Sequence, residues 1–165
     1  LKEYAPFSFT TEETGGIIGN GDITMDWIVH VLKRTVDTQY RTKADRRHTF
    51  LAGSSMGGLM TLYGLLVYPE VFSRGAALSP SLWIDAEKVK AMIRHARVKR
   101  NTVLYMDYGA LEFADHPHSR SLFAEVSALL IEKRVLLNSR IVPRGTHCEA
   151  SWEKQIPFFM KTLFE

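Results

Sequence analysis

A serine between glycines lies at the junction of two sequence patterns. The stretch 53–57, Gly-Ser-Ser-Met-Gly, has the form Gly-x-Ser-x-Gly, with an apolar run before it and helical spacing after it. A serine on a sharp strand-to-helix turn projects from the sheet, and such a turn is expected to leave no room for side chains at the two glycines that flank it. The free N–H groups of the helix start favour developing negative charge. The pattern predicts Ser55 as a nucleophile and the Met56 N–H as an oxyanion donor. The competing interpretation is a glycine-rich turn that only packs a helix against a strand.

A candidate general base lies near the end of the chain. His147 follows Gly145 in a loop after the last apolar run, residues 136–142. A serine hydroxyl is a weak nucleophile unless an adjacent base takes its proton, and that base needs an orienting acid. A lone histidine more often has a surface or packing role, but the serine already found requires a base at this place. We therefore predict that His147 is the base.

Two carboxylates are candidates for the orienting acid. Glu112 lies three residues beyond Gly109, in a loop from which it could reach back to a histidine, and Asp107 lies at the end of the preceding strand. Either could instead be a solvated or capping carboxylate. We favour Glu112 and keep Asp107 as the alternative.

The elements that must position these residues alternate along the chain. Apolar runs predict strands over residues 48–52, 71–78, 102–106 and 136–142. Helical spacing predicts helices over residues 22–40 and 56–68, after an Asp85 cap, after Pro117, and at the C-terminus, where Ile156, Phe159, Met160 and Leu163 are expected to be buried. Residues 1–22 are predicted to be irregular because glycines cluster there. The alternation predicts an α/β fold, a parallel sheet flanked by helices, with the ligand site at the carboxyl ends of the strands.

The composition limits the partners. With 165 residues, 45% of them hydrophobic and 24% charged, the chain has the composition of one globular domain. The net charge of +3 comes from scattered basic pairs, so we expect no nucleic-acid partner. No apolar run is long enough to span a bilayer, so we expect no membrane partner. One cysteine, Cys148, excludes an internal disulfide and fits a cytoplasmic location.

A short histidine-containing segment raises the question of a metal. His116, Pro117 and His118 follow Asp115. Such a segment at a helix start is more often a polar loop than a metal site. We expect no metal and no cofactor.

The chain resembles the esterase branch of the α/β-hydrolases. The matching stretches are residues 47–59 (RHTFLAGSSMGGL), 72–83 (FSRGAALSPSLW), 107–113 (DYGALEF) and 145–152 (GTHCEASW). This branch includes siderophore (enterochelin), feruloyl and acetylxylan esterases, esterase D and mycolyltransferases. The resemblance implies an α/β-hydrolase fold and hydrolysis of a small-molecule carboxylic ester through an acyl-enzyme. It carries over Ser55 as nucleophile, His147 as base and Glu112 as acid.

Members of this branch begin with strands upstream of anything in this sequence, and one of their loops supplies a second oxyanion donor. We therefore expect residues 1–165 to form a single partial domain that lacks its N-terminal strands, with the strand before Ser55 at an edge of the sheet. A missing N-terminal segment or a homo-oligomer partner is expected to complete that sheet. Two alternatives to the esterase remain: an acyltransferase that uses the same triad, and a catalytically silent remnant that serves as a binding module.

Overall fold

The computed structural model of the protein describes residues 1–11, 15–115 and 118–165. After a 3₁₀ turn, Lys2–Tyr4, strands β1 (Phe9–Thr11) and β2 (Gly15–Ile17) form an antiparallel pair in which Phe9 lies opposite Ile17. The prediction that residues 1–22 are irregular is therefore wrong for these six residues. Three-residue strands are too short to show an alternating pattern, and two glycines of β2 contribute no side chain to it.

A helical segment follows the hairpin. It consists of α1 (Gly21–Trp27), a π-helical turn (Ile28–Leu32) and α2 (Lys33–Gln39), which confirms the helix predicted over residues 22–40. Its apolar face is largely exposed, with Trp27 at 50% and Val31 at 49%. The spacing of apolar residues revealed the helical period, but a period does not reveal whether another element covers that face.

The described residues contain a parallel sheet of four strands in the order β3-β4-β5-β6, the same as their order in the chain. The strands are β3 (Phe50–Ser54), β4 (Arg74–Leu78), β5 (Val103–Gly109) and β6 (Leu136–Val142). This confirms the predicted α/β class, with strand ends shifted by a few residues. Strand β5 continues three residues beyond its predicted end, because buried Asp107 interrupts the apolar pattern on which the prediction relied.

Helices connect successive strands. They are α3 (Met56–Val67), α4 (Ala86–His95), which follows a 3₁₀ turn (Leu82–Asp85), and α6 (His118–Glu132), which follows the short α5 (Glu112–Asp115). The carboxylate of Asp85 accepts a hydrogen bond from the Lys88 N–H (3.0 Å) and caps α4, as predicted. No described helix has the length and apolar character needed to cross a membrane.

The main core lies between the sheet and the crossover helices. Leu104 and Met106 on β5 pack in the same cluster as Val126 and Leu130 on α6, all fully buried. On the opposite face, Tyr105 packs against the C-terminal part of the chain. Strand β5 is therefore covered on both faces, as expected for an inner strand of a parallel sheet.

The C-terminal segment comprises α7 (Glu149–Trp152), a 3₁₀ turn (Glu153–Gln155) and α8 (Ile156–Phe164). Leu163 is buried and Phe159 is partly buried, but Ile156 and Met160 are exposed, so the prediction that all four are buried is wrong for these two. Helix α8 packs on β4 and β5 along one row of side chains, which leaves the adjacent apolar row uncovered among the described residues.

Strand β3 forms one edge of the described sheet. Its only described strand neighbour is β4, and Ala52 in its centre is exposed. The strand that leads to Ser55 is thus an edge strand in this chain, as expected from the sequence.

Candidate active site

Ser55 lies on a strained turn between β3 and α3. Its φ of 55° and ψ of −121° fall outside the regions that side-chain-bearing residues favour. The Ser55 N–H donates to the Leu78 carbonyl (2.9 Å), and the Ser55 carbonyl accepts from the N–H groups of Leu59 (3.1 Å) and Ser81 (3.0 Å). Such strain persists only where the surroundings determine the conformation, and here the end of β4 and the loop after it do so.

The two glycines of the motif have different reasons to be glycine. A Cβ on Gly53 would lie 2.5 Å from the carbonyl carbon of Gly57, so this position has no room for a side chain. A Cβ on Gly57 would meet no described atom within 4 Å. The prediction that both positions lack room is therefore correct only for Gly53, because its missing side chain points into the backbone of α3.

The structure brings Ser55, His147 and Glu112 together. His147 Nε2 lies 2.9 Å from Ser55 Oγ, and His147 Nδ1 lies 2.7 Å from Glu112 Oε2. A carboxylate is only an acceptor, so Nδ1 carries the proton and the neutral ring offers Nε2 as acceptor to the serine hydroxyl. The imidazole side chain is 43% exposed and that of Glu112 only 4%. The imidazole of His147 therefore reaches solvent, and the carboxylate of Glu112 does not.

Glu112 is held as a carboxylate by hydrogen bonds. Its Oε1 accepts from the Gly109 N–H (2.7 Å) and from the Ser79 hydroxyl (2.7 Å). Burial alone raises the pKa of Glu112, but the hydrogen bonds from His147, Ser79 and Gly109 outweigh it and keep that pKa below its ordinary value. Glu112 is thus charged where a histidine would need an anionic partner.

The alternative acid, Asp107, lies elsewhere. It is 1% exposed at the end of β5, where its Oδ2 accepts from the Tyr105 hydroxyl (2.7 Å) and its Oδ1 from the Ser79 N–H (3.3 Å). Burial raises its pKa. Among the described hydrogen bonds none joins Asp107 to His147, so the structure brings Glu112 and not Asp107 to the imidazole.

Two glycines approach closely where the loop that carries Glu112 meets the loop that carries His147. A Cβ on Gly109 would lie 2.4 Å from the carbonyl carbon of Gly145. Beside this contact, the Ala110 N–H donates to the Val142 carbonyl (2.9 Å) and the Leu111 N–H to the Gly145 carbonyl (3.0 Å). The backbone therefore fixes the separation of Glu112 and His147. This contact was not predicted from the sequence. The glycines at the ends of two adjacent strands, Gly109 and Gly145, could have indicated it.

Three further side chains surround the site and had no predicted part in it. Ser81 Oγ lies 3.3 Å from Ser55 Oγ, and buried Ser79 donates to Glu112. The Trp152 ring packs edge-on against His147, with centroids 5.0 Å apart at 84°, and its Nε1–H donates to Ser79 Oγ (3.0 Å). The stretch 79–83 (SPSLW) was the available signal for the two serines, and the stretch 145–152 (GTHCEASW) was the signal for Trp152.

The predicted oxyanion donor lies beside the serine. Met56 is the first residue of α3, so its N–H belongs to the first turn and has no carbonyl one turn earlier to bind. An N–H in this position is a hydrogen-bond donor available to an anion near Ser55.

The segment that raised the question of a metal, residues 115–118, lies partly outside the described residues. His116 and Pro117 lie outside the described residues. Among the His, Cys, Asp and Glu side chains that the structure describes, no group of three or more could hold a metal ion.

A cavity of about 840 Å³ lies away from the serine. It opens at the amino ends of β3 and β4, and the side chains that line it include Arg46, Arg47 and Arg74. Its described lining contains none of Ser55, His147 and Glu112. In parallel α/β folds, sites form at the opposite, carboxyl ends of the strands, where these three residues lie.

A serine on a strand–turn–helix elbow, with an acid and a histidine on later loops, is the arrangement of the α/β-hydrolases. The sequence agrees with that class. A family model described as "Putative esterase" matches residues 19–160, and the chain belongs to this family.

Individual relatives are similar over parts of their length. The iron(III) salmochelin esterase of Escherichia coli O6:H1 is 35% identical over 78 residues, which is 47% of this chain and 19% of that protein. The enterobactin esterase of Shigella flexneri is 25% identical with a TM-score of 0.65, over 87% of this chain and 38% of that one. An IroE-like serine hydrolase of Shewanella oneidensis is 19% identical with a TM-score of 0.77, over 98% and 54%. The chain thus spans about half or less of each relative.

Proposed function

We propose that this chain carries the catalytic groups of a carboxylic-ester hydrolase that works through an acyl-enzyme. The observation that carries the proposal is the unbroken hydrogen-bond chain from Ser55 Oγ to His147 Nε2 (2.9 Å) and from His147 Nδ1 to Glu112 Oε2 (2.7 Å). Membership of the esterase family supports the same reaction class.

In the first half-reaction, Ser55 Oγ attacks the ester carbonyl carbon while His147 Nε2 takes the hydroxyl proton. Glu112 stabilises the imidazolium that forms, and the Met56 N–H donates to the oxyanion of the tetrahedral intermediate. The bond from carbon to the alkoxy oxygen then breaks, and His147 gives its proton to the departing alcohol.

In the second half-reaction, water replaces the alcohol. His147 Nε2 takes one proton from water as its oxygen adds to the acyl carbon, and the bond to Ser55 Oγ breaks with return of that proton to the serine. The product is a carboxylic acid. Transfer to an alcohol acceptor would use the same groups, with the alcohol in place of water.

The names of the relatives guide the choice of substrates. A salmochelin esterase and an enterobactin esterase are among them, so siderophore esters are the first substrates to test, beside a simple short-chain aryl ester. Hydrolysis of either class would agree with the proposal.

The proposal is tested by labelling with a fluorophosphonate, which reacts with activated serines. Ser55→Ala should abolish labelling, and His147→Gln should slow it about 10⁴-fold or more, since nucleophile and base act as a unit. Ser127→Ala and His95→Gln are the matched controls, because Ser127 Oγ bonds the Phe123 carbonyl within α6 and His95 Nδ1 contacts the Ala91 carbonyl on α4. Both controls should label like the wild type.

Two outcomes would contradict the proposal. Labelling that persists in Ser55→Ala would mean that another residue reacts. An unlabelled wild-type protein, tested at its natural full length, would favour the silent binding module instead.

We further propose that additional strands cover the β3 edge in the complete protein, from either an upstream segment or a second copy. Exposed Ala52 on β3 and exposed Trp27 and Val31 on the helical segment support this, as does the greater length of the relatives. Measuring the intact mass and the native mass of the purified protein would distinguish the two sources. A monomer of this chain alone in which β3 amides exchange as slowly as those of β5 would contradict both.

A further inference from the structure

Ser79 connects three parts of the site. It lies directly after β4 and is 1% exposed. Its hydroxyl donates to Glu112 Oε1 (2.7 Å) and accepts from Trp152 Nε1–H (3.0 Å), while its backbone N–H donates to the Asp107 carbonyl (3.0 Å). Because Trp152 also packs on His147, these contacts form a closed ring: Trp152, Ser79, Glu112, His147.

The chemistry of the groups fixes the direction of each hydrogen bond in this ring. An indole N–H is a donor only, so Ser79 Oγ must accept from Trp152. The single hydroxyl hydrogen of Ser79 is then left for Glu112, whose carboxylate is an acceptor only. Trp152 thereby orients the serine hydroxyl so that it donates to Glu112.

The two oxygens of Glu112 consequently have separate partners. Oε1 accepts from Ser79 Oγ and from the Gly109 N–H, and Oε2 faces His147 Nδ1. Two donors on one oxygen fix the rotation of the carboxylate about its last bond. The other oxygen is therefore aimed at the imidazole before any substrate binds.

The backbone of Ser79 suggests that its hydroxyl is required. Its φ is 41°, in the left-handed region where glycine is unstrained and serine is not. A glycine would adopt this conformation more easily but would leave the Trp152 N–H without its acceptor and Glu112 Oε1 with the Gly109 N–H as its remaining described donor. The protein therefore has a strained backbone at position 79 together with the hydroxyl that glycine would lack.

We infer that Ser79 is a positioning residue of this active site: its hydroxyl, oriented by Trp152, holds Glu112 in the geometry that His147 needs. The inference rests on the proposed function for its consequence in catalysis, but the hydrogen-bond ring exists without substrate. The titratable groups that face Glu112 are His147, Asp107 and Tyr108. Asp107 cannot replace the serine, because its carboxylate is an acceptor already paired with Tyr105.

The first experiment compares Ser79→Ala with Ser79→Gly in the full-length protein. Both remove the hydroxyl, and only glycine relieves the strained φ. The rate of fluorophosphonate labelling and kcat for an aryl ester should fall about 10- to 100-fold in both, as expected for a displaced catalytic group, with KM nearly unchanged because buried Ser79 does not touch substrate. Ser127→Ala should keep the wild-type rate. Recovery of the rate in Ser79→Gly would overturn the inference, since backbone strain would then account for the loss.

The second experiment tests the ring of hydrogen bonds by NMR, without a measurement of activity. A proton shared by His147 Nδ1 and a carboxylate gives a far-downfield resonance, which should be present in the wild type and in Ser127→Ala and broadened or lost in both Ser79 variants. An unchanged resonance in them would overturn the inference. If the wild type does not label at all, the proposed function fails, and this resonance still decides the role of Ser79.

The third variant isolates the indole N–H. Trp152→Phe keeps a ring against His147 and removes the donor to Ser79, so the labelling rate should fall less than in Ser79→Ala, by roughly 3- to 10-fold, as for a weakened rather than absent hydrogen bond. A wild-type rate in Trp152→Phe would overturn the orienting part assigned to Trp152.

Discussion

The inner strand β5 and the edge strand β3 differ in how completely the rest of the described chain covers them. Strand β5 has a described neighbour on each side, Leu104 and Val126 are fully buried, and the loops of Glu112 and His147 are joined through Gly109 and Gly145. Around β3, one strand edge is open and the apolar face of the helical segment is exposed. Glu112 thus follows a strand that is paired on both edges, and its loop is joined to that of His147, which follows the edge strand β6. Ser55 follows the other edge strand, β3, beside the exposed helical segment.

The largest expected effect contrasts one leucine from each side. Leu104→Ala, fully buried on β5, should lower the free energy of unfolding by about 2–5 kcal/mol, because it leaves a cavity in packed core. Leu32→Ala, 40% exposed in the helical segment, should change it by only about 0.5 kcal/mol. Urea denaturation of this chain measures both. Equal losses would mean that the helical segment is as well packed in solution as β5, and the comparison would fail.

A pair of glycines sharpens the comparison at the site. Gly109→Ala must displace the backbone of Gly145 and should destabilise the fold by about 1–3 kcal/mol, as overpacked sites do. Gly57→Ala adds a methyl group in open space in the first turn of α3 and should stabilise the fold by about 0.5–1 kcal/mol through helix propensity. Chemical denaturation of both variants measures whether the free energy of unfolding falls in Gly109→Ala and rises in Gly57→Ala. A neutral Gly109→Ala would show that the two loops are not locked together.

The smallest expected effect concerns pH. Because the folded state lowers the pKa of Glu112, the unfolded chain binds more protons at that site, and stability rises with pH. This contribution is complete above the ordinary glutamate pKa of about 4.3 and is lost as pH falls through the lower folded pKa. Denaturation at several acidic pH values should therefore show a shallower loss of stability in Glu112→Gln than in the wild type.

Asp37→Asn is the matched control on the helical side. The pKa of Asp37 is also lowered, first by its hydrogen bond to Lys33, but this carboxylate lies near the surface and its pair is screened by salt. The acid-dependent loss of stability in Asp37→Asn should match the wild type at high salt. A Glu112→Gln profile identical to that of the wild type would contradict the pairing of Glu112 with His147.

The sequence predicted those features whose signal is local. Alternating apolar periods predicted the order of strands and helices, and the Gly-x-Ser-x-Gly stretch placed Ser55 at a strand–helix junction. His147 followed from the need of a serine for a base on a later loop. For the elements and for Ser55, the residues within a few positions carry the information, whereas the prediction of His147 depended on Ser55, 92 residues earlier.

Other features that depend on distant residues were not predicted. The part of Ser79 depends on Glu112 and Trp152, which are 33 and 73 residues away in the chain. The exposure of Ile156 and of the helical segment depends on which elements cover them, and the amphipathic pattern is the same for a covered and an uncovered face. Strand β5 was predicted too short because a buried, hydrogen-bonded carboxylate resembles a loop residue in a hydropathy pattern.

The succession of strands along the sheet has a consequence for synthesis. Ser55 and His147 are 92 residues apart, and the strands between them are added in chain order from β3 to β6. At ribosomal rates, about 5–20 residues per second, the serine emerges on the order of 5–20 s before the histidine. During that interval the nascent chain carries Ser55 without His147, so under the proposed function it should be inert toward esters until the last strand docks.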